Sequence, residues 1–189
     1  AGLLAAYSTS PHYRASLDLI AGEVAQARWR LLAPIEDGKY VANSWFSLLP
    51  HKDRCLALPG LIEEGAFKEI QVHPFFNLMG GANTIFVGQT LRAVTQIHID
   101  SVGEAFWLLA WKTLLGRTIP VAATPIPPHW LQNLPSPEDP NYIFQYLGLR
   151  LKIPISSIIR FHNPDPLNPY SRGSGIGMAL TDEIDTDEY

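Results

Sequence analysis

The distribution of proline sets the strongest limit on what this chain can fold into. The sequence has 16 prolines, and most of them lie in its second half, between Pro120 and Pro169. Proline lacks a backbone N–H and interrupts helices, so long helices are excluded from that region. We therefore predict short strands joined by ordered turns there, with the longer helices placed before it.

Three helices are predicted before the proline-rich region. The first begins at Ser10-Pro11, ends near Ala27 and is indicated by apolar residues at helical spacing. Those residues are Tyr13, Leu17, Ile20 and Val24. A short helix over 73–78 closes at Gly80-Gly81. A longer helix follows, capped by Asn83 or Thr84 and ended by Gly103.

Strands are predicted in the rest of the chain. The run 105–111 fits a strand or more helix, and its aromatic content favours a strand that pairs with 119–124. Further predicted strands are 29–32, 40–41, 142–147, 149–153 and 158–161, with Gly148 as the turn of a hairpin. Residues 61–69 fit either a short helix or an irregular connection.

Composition and charge exclude several classes of protein. Hydrophobic residues make up 47% of the chain and charged residues 17%, which is typical of a globular protein. The formal net charge of -4 lacks the basic excess of proteins that clamp DNA, so either DNA is not the partner or the contact with it is loose. Cys55 is the only cysteine, which excludes a disulfide framework and a thiolate zinc site. No apolar run approaches the roughly 20 residues of a membrane span.

A metal-dependent hydrolase or nucleic-acid-processing enzyme is the alternative function, and it would use His98, Asp100 and Glu104. Residues two apart on a helix point to different faces, so His98 and Asp100 do not converge. His98 also lies in the apolar register of its helix. We therefore predict a partly buried structural histidine, and no catalysis, metal or cofactor.

The glycine-rich segment 173–177 lacks the lysine and the serine or threonine of a phosphate-binding Walker loop. We interpret it as a turn into a helix that starts near Ile176. An acidic run ends the chain and is explained by a solvated helix start. The candidate subunit or assembly contacts are Arg172, Asp182, Glu183 and Asp185.

The segment that carries Ile153-Pro154 and 158–166 resembles a signature of portal proteins from long-tailed bacteriophages. In that family an "I-P" and an "I-I-H" strand precede an Asn-Pro dipeptide, and a "dPyRG-S-P" turn then leads into a helix. Residues 168–175, NPYSRGSG, are similar to that turn. They differ by an inserted Ser171 and by Gly175, where the family often has proline.

Earlier pieces resemble the same family in the same order. Residues 20–25, IAGEVA, and Trp29 match the opening helix and the strand after it. His73-Pro74 and the helix that ends at Gly103 resemble the "HPL" and "G-N-A-Y" stretches. Gly116-Arg117 and the later Ile-Pro-Pro are similar to a family hairpin. The match is patchy over 35–70.

This resemblance implies an α+β, wing-type domain, with helices packed on small mixed or antiparallel sheets, over residues 1–170. Residues 171–189 would start a helix toward the stem. Family members are at least twice as long, so the chain would stop before the stem and clip helices. The tunnel-lining part of the family would then lie beyond it.

The resemblance also implies a function and partners. Portals form a homo-oligomeric ring, usually a dodecamer, at one capsid vertex, where the genome is packaged and ejected and the tail attaches. The implied partners are the major capsid protein, the large terminase, a head-tail adaptor protein and double-stranded DNA that passes through non-specifically. The implied location is the virion, and the host cytoplasm during assembly.

Overall fold

The fold is α+β, as predicted. The computed structural model describes residues 3–36, 39–40, 52, 58–62, 66–81, 83–114 and 116–179. The chain divides into two compact units, a smaller one over Arg28–His73 and a larger one that combines Ala1–Ala27 with Pro74–Tyr189.

The smaller unit contains a three-stranded antiparallel sheet. Its strands are β1 (Leu32–Glu36), β2 (Lys39–Tyr40) and β3 (Phe67–Glu69), in the order β2-β1-β3. The strand predicted at 29–32 is displaced, because pairing with β3 starts only at Leu32. For residues 61–69, neither alternative holds throughout, since 58–62 are helical and β3 follows.

Five helices of the larger unit are described. They are α1 (Leu3–Thr9), α2 (Pro11–Gln26), α3 (Pro74–Gly80), α4 (Gly88–Val102) and α5 (Ile176–Ala179). The prediction of α2 is confirmed, and the Ser10 hydroxyl accepts a 3.3 Å hydrogen bond from the N–H of Tyr13. Helix α3 is also confirmed, while α1 was not predicted.

The start of α4 differs from the prediction, and its end agrees. Asn83 caps a turn instead, because its Oδ1 accepts from the N–H groups of Ile85 and Phe86, both at 2.7 Å. Helix α4 begins after Val87, which has no side-chain cap. Gly103 ends the helix at φ 78°, a left-handed conformation that favours glycine.

The central sheet of the larger unit is antiparallel, in the order β5-β4-β9. Its strands are β4 (Glu104–Leu114), β5 (Arg117–Ile126) and β9 (Ile158–His162). The predicted pairing of 105–111 with 119–124 is confirmed, with Leu109 opposite Ala123. The run 105–111 is thus strand rather than helix.

A second antiparallel sheet of this unit has the order β6-β7-β8. Its strands are β6 (Leu131–Asn133), β7 (Asn141–Tyr146) and β8 (Leu149–Pro154). The predicted hairpin is confirmed. Leu147 and Gly148 form its turn with φ values of 48° and 81°, and two positive φ values match the twist of a two-residue hairpin.

Successive residues of β4 face opposite layers of the larger unit, as expected for a strand buried on both faces. Trp107 packs in a core cluster with Leu91 of α4. Phe106 packs in a second cluster with Phe144 of β7, at 5.6 Å between ring centroids. Helices therefore cover one face of the β5-β4-β9 sheet, and the β6-β7-β8 sheet covers the other.

Candidate functional site

A buried carboxylate lies where α4 passes into β4. Glu104 directly follows the helix-ending Gly103, is the first residue of β4, and is 1% exposed. An unpaired charge at such a position would be very costly, because the charge loses its hydration on folding. The position therefore requires cationic partners from elsewhere in the chain.

Arg160 of β9 supplies the first partner. Its Nη2 donates to Glu104 Oε2 at 2.9 Å and also to the backbone carbonyl of Ser171 at 3.0 Å. Arg160 lies opposite Phe106 in the antiparallel pairing of β9 with β4. Strand pairing thus brings the guanidinium beside the start of β4.

Arg172 supplies the second partner from the loop after β9. Its Nε donates to Glu104 Oε1, so the two carboxylate oxygens are each bound by a different arginine. Its Nη1 donates to the carbonyl of Leu131 at 3.3 Å, and its Nη2 donates to the carbonyl of Pro128 at 2.8 Å. One side chain therefore joins that loop to β4, to β6 and to the turn before β6.

The loop that carries Arg172 lies directly on the α4–β4 junction. The Asn163 N–H donates to the Gly103 carbonyl at 2.7 Å, and Asn163 Nδ2 donates to the Ser174 carbonyl at 2.8 Å. A side chain on Gly103 or Gly173 would overlap the backbone of the other segment. The glycine-rich segment therefore serves close backbone packing, in agreement with its interpretation as a turn.

This arrangement is suited to holding the chain in place. Both carboxylate oxygens of Glu104 are bound by guanidinium groups, an arrangement that orients the side chain and ties it to two other segments. Arginine remains protonated near neutral pH and provides planar, directional donors. The cluster of Glu104, Arg160 and Arg172, here called the Glu104 cluster, fixes the path of the chain toward α5.

The alternative enzymatic residues are not assembled into a site. Asp100 Oδ1 accepts from Gln96 Nε2 at 2.9 Å, and Glu104 belongs to its own cluster. Across the residues that the structure describes, no group of three or more His, Cys, Asp and Glu side chains is arranged to hold a metal ion.

His98 lies mostly buried on α4. Burial lowers the pKa of His98 to about 4, and the positive charge of His129 contributes in the same direction. Its Nδ1 is buried and has no hydrogen-bond partner among the described residues. These features describe a neutral imidazole inside the fold, as the sequence interpretation expected.

The predicted assembly contacts divide into two groups. Arg172 is part of the Glu104 cluster, and its side chain remains 47% exposed. Its role in assembly stays a prediction. Asp182, Glu183 and Asp185 lie outside the described residues.

Sequence reasoning missed the pairing of Glu104 with its two arginines. One signal was present, because Glu104 stands between a helix-ending glycine and a long apolar run. A carboxylate at the start of a buried strand indicates a buried ion pair. Its partners lie 56 and 68 residues away along the chain, beyond the reach of local patterns.

No protein-family model matches this sequence, and no curated protein is significantly similar to it. Solved structures share its fold, among them chains of two gene transfer agent structures. One is a chain in the neck of an empty GTA particle computed with C6 symmetry, with a TM-score of 0.63 and 13% identity over 95% of this chain. The other is a chain in the virion of a native gene transfer agent (GTA) particle, with a TM-score of 0.60 and 11% identity over 97% of this chain.

The match covers only part of those two chains. This chain spans 40% of the first and 41% of the second. At such low identity the similarity establishes a common fold. Among the described helices, none has both the length and the hydrophobicity needed to span a bilayer.

Proposed function

We propose that this chain is part of a structural virion protein, the portal of a tailed phage or a phage-like particle. The observation that carries the proposal is the shared fold, which extends over 95% and 97% of the chain in two gene transfer agent structures. The ordered resemblance between residues 153–175 and the portal signature supports the same assignment independently, because it was drawn from the sequence.

The proposed protein forms a homo-oligomeric ring, a dodecamer as the family resemblance implies. It serves as the conduit for packaging and ejection of double-stranded DNA and as the attachment point between head and tail. The formal net charge of -4 supports a conduit, because a strongly basic lining would hold the phosphate backbone and slow its movement. The proposal includes no catalytic activity.

Electron microscopy of the product of the complete gene tests this proposal. Negatively stained particles should be closed rings with a central opening, and native mass spectrometry should give one defined subunit number. Antibodies against this chain should label intact virions at a single vertex. A product that stays monomeric over a wide range of protein concentration contradicts the proposal, as does labelling spread over the whole capsid.

A further inference from the structure

The outer half of the β4–β5 hairpin lacks the neighbours that cover its inner half. Strand β9 pairs with β4 only from Glu104 to Leu108, and β5 is the strand at the other edge of the sheet. No described strand pairs with β4 beyond Leu108, and residues 110–114 are all exposed. This part of the hairpin, residues 110–122, is here called the hairpin arm, and residue 115 at its turn lies outside the described residues.

One face of the hairpin arm combines two cations with two apolar side chains. The antiparallel register sets Lys112 opposite Ile119 and Leu114 opposite Arg117. Paired residues project from the same face of a sheet, and so do residues two apart along a strand. These four residues therefore share one face, here called the basic face. Neither cation forms an ion pair with a described residue.

The opposite face agrees with this assignment, because the hydroxyl oxygens of Thr113 and Thr118 lie 3.2 Å apart there. The arm also carries large exposed apolar groups. Trp111 is 44% exposed and Leu114 is 46% exposed. A two-stranded arm with open backbone edges, exposed apolar groups and unpaired charges is typical of a surface that another chain covers.

The charge of the hairpin arm indicates what covers it. Residues 110–122 contain two basic residues and no acidic one, although the whole chain has a formal net charge of -4. The opposite composition occurs in residues 180–189, LTDEIDTDEY, here called the acidic segment. It has five acidic residues and no basic one, and apolar residues alternate with the charges. The basic face and the acidic segment are therefore complementary in charge and in apolar content.

The two features belong to opposite ends of β4. Gly173, Gly175 and Gly177 pack against the backbone of residues 101–104, so α5 lies beside the start of β4 and the acidic segment follows it. Strand β4 has 11 residues, which places Leu114 about 33 Å from Glu104.

That distance favours contact between copies over contact within one copy. Asp182 and Glu183 are three and four residues beyond Ala179, so they reach at most about 14 Å from it along an extended chain. A second copy can bring its acidic segment to the arm directly. Contact between opposite ends of neighbouring copies is head-to-tail, the type of contact from which rings are built.

The phosphate backbone of DNA is the other anionic partner to consider. Two cations neutralise few phosphates, and the net negative charge of the chain opposes DNA binding. A phosphate backbone also offers no counterpart for Leu114 and Ile119. An acidic peptide that contains Leu180 and Ile184 offers both kinds of contact.

We propose that the basic face of one copy binds the acidic segment of the next copy. This inference rests on the proposed ring and assigns the residues of its subunit contact. Lys112 and Arg117 meet the carboxylates of the segment, while Leu114 and Ile119 meet its apolar residues.

Charge reversal in the complete gene product tests the contact. Lys112→Glu and Arg117→Glu should each weaken subunit association about tenfold, measured by mass photometry over a dilution series, because an attraction becomes a repulsion. Arg150→Glu is the matched control. It makes the same change of charge at an exposed site on β8 that has no ion pair with a described residue, and it should assemble as the wild type does.

Reversal on both sides tests the assigned partner. Glu183→Lys with Asp185→Lys should weaken association as the hairpin substitutions do. Combined with Lys112→Glu and Arg117→Glu, this pair should restore most of the wild-type association, because the charges are again opposite. Weakening without any restoration would contradict the assignment of the acidic segment.

Cysteine cross-linking distinguishes contact between copies from contact within one copy. The background is Cys55→Ser, which removes the native thiol. Oxidation of the variant with Arg117→Cys and Asp185→Cys should give a ladder of covalent multimers, and each single substitution should give nothing larger than a dimer. A disulfide closed within one monomer would overturn the assignment to a second copy.

Fluorescence anisotropy with a labelled DNA duplex examines the other partner. DNA binding that Lys112→Glu abolishes, with assembly unchanged, would make DNA the occupant and overturn the proposal. Far-ultraviolet circular dichroism confirms that each variant is folded. A wild-type ring that tolerates every reversal and forms no ladder overturns the assigned contact and leaves the proposed ring standing. A wild type that forms no ring contradicts both.

Discussion

Arg172 donates to the carboxylate of Glu104 over a sequence separation of 68 residues, so the loop after β9 is bound to the first residue of β4. Arg160 binds the other carboxylate oxygen. The two ion pairs and the close glycine packing together determine how the chain approaches α5.

Glu104→Gln should lower the free energy of unfolding by about 3 kcal/mol, because it leaves two guanidinium groups without their counter-ion in a largely buried site. Urea unfolding followed by circular dichroism measures the loss. Glu138→Gln is the matched control on the exposed surface and should stay within about 0.5 kcal/mol of the wild type. Equal effects of the two substitutions would show that the Glu104 cluster contributes nothing to stability.

Gly103→Ala should destabilise the protein by more than about 1 kcal/mol, because φ of 78° is unfavourable for alanine. The added methyl group would also overlap the backbone of Ser174. Tryptic cleavage after Arg172 should become faster as that loop is displaced. Gly22→Ala is the control within a helix, where an added methyl group meets nothing and should stabilise the protein by about 0.5–1 kcal/mol. Stabilisation by both substitutions would contradict the proposed packing.

His98 should make stability depend on pH. Its pKa is about 4 in the folded protein, so the unfolded chain binds more protons between about pH 6.5 and 4. Stability is therefore full above that window and falls as the pH falls through it. Between pH 7 and pH 5 the free energy of unfolding of the wild type should fall by about 2 kcal/mol more than that of His98→Leu. An imidazole resonance of His98 that titrates near pH 6.5 in the folded protein would refute this.

Thr95→Val should lower the free energy of unfolding by about 1–3 kcal/mol. It removes the oxygen that accepts the hydrogen bond from Trp107 Nε1, at 2.7 Å in the core. Thr95→Ser keeps that oxygen and should cost less. Urea unfolding gives both values, and the near-ultraviolet circular dichroism of the indole reports the local change. If Thr95→Ser loses as much stability as Thr95→Val, the effect comes from packing of the threonine side chain and not from the hydrogen bond.

The turns and most element types could be predicted because they depend on nearby residues. Gly103 and Gly148 adopt positive φ values where the sequence indicated a helix end and a hairpin turn. The aromatic run at 105–111 is a strand, as its composition favoured. These features arise from the backbone freedom of glycine and from the spacing of apolar residues.

Other features could not be predicted because distant residues compete with local signals. Asn83 is a good helix cap by type, yet its side chain holds a turn and also donates to the Ala123 carbonyl of β5 at 2.8 Å. In α2, Ile20 shares the helical apolar spacing but is 42% exposed, while Ala21 is buried against the rest of the unit. Periodicity identifies a helix, and only packing decides which of its residues are buried.

The sequence by itself determined the helix that begins after Ser10, the helix end at Gly103, and the β4–β5 and β7–β8 pairings. It also carried the ordered resemblance to portal proteins. Only the tertiary structure decided that Glu104 is a buried carboxylate shared by Arg160 and Arg172. The physical reason is the range of the interactions. Turn chemistry and periodicity act over a few residues, whereas a buried charge is stabilised by whichever cations the folded backbone brings beside it.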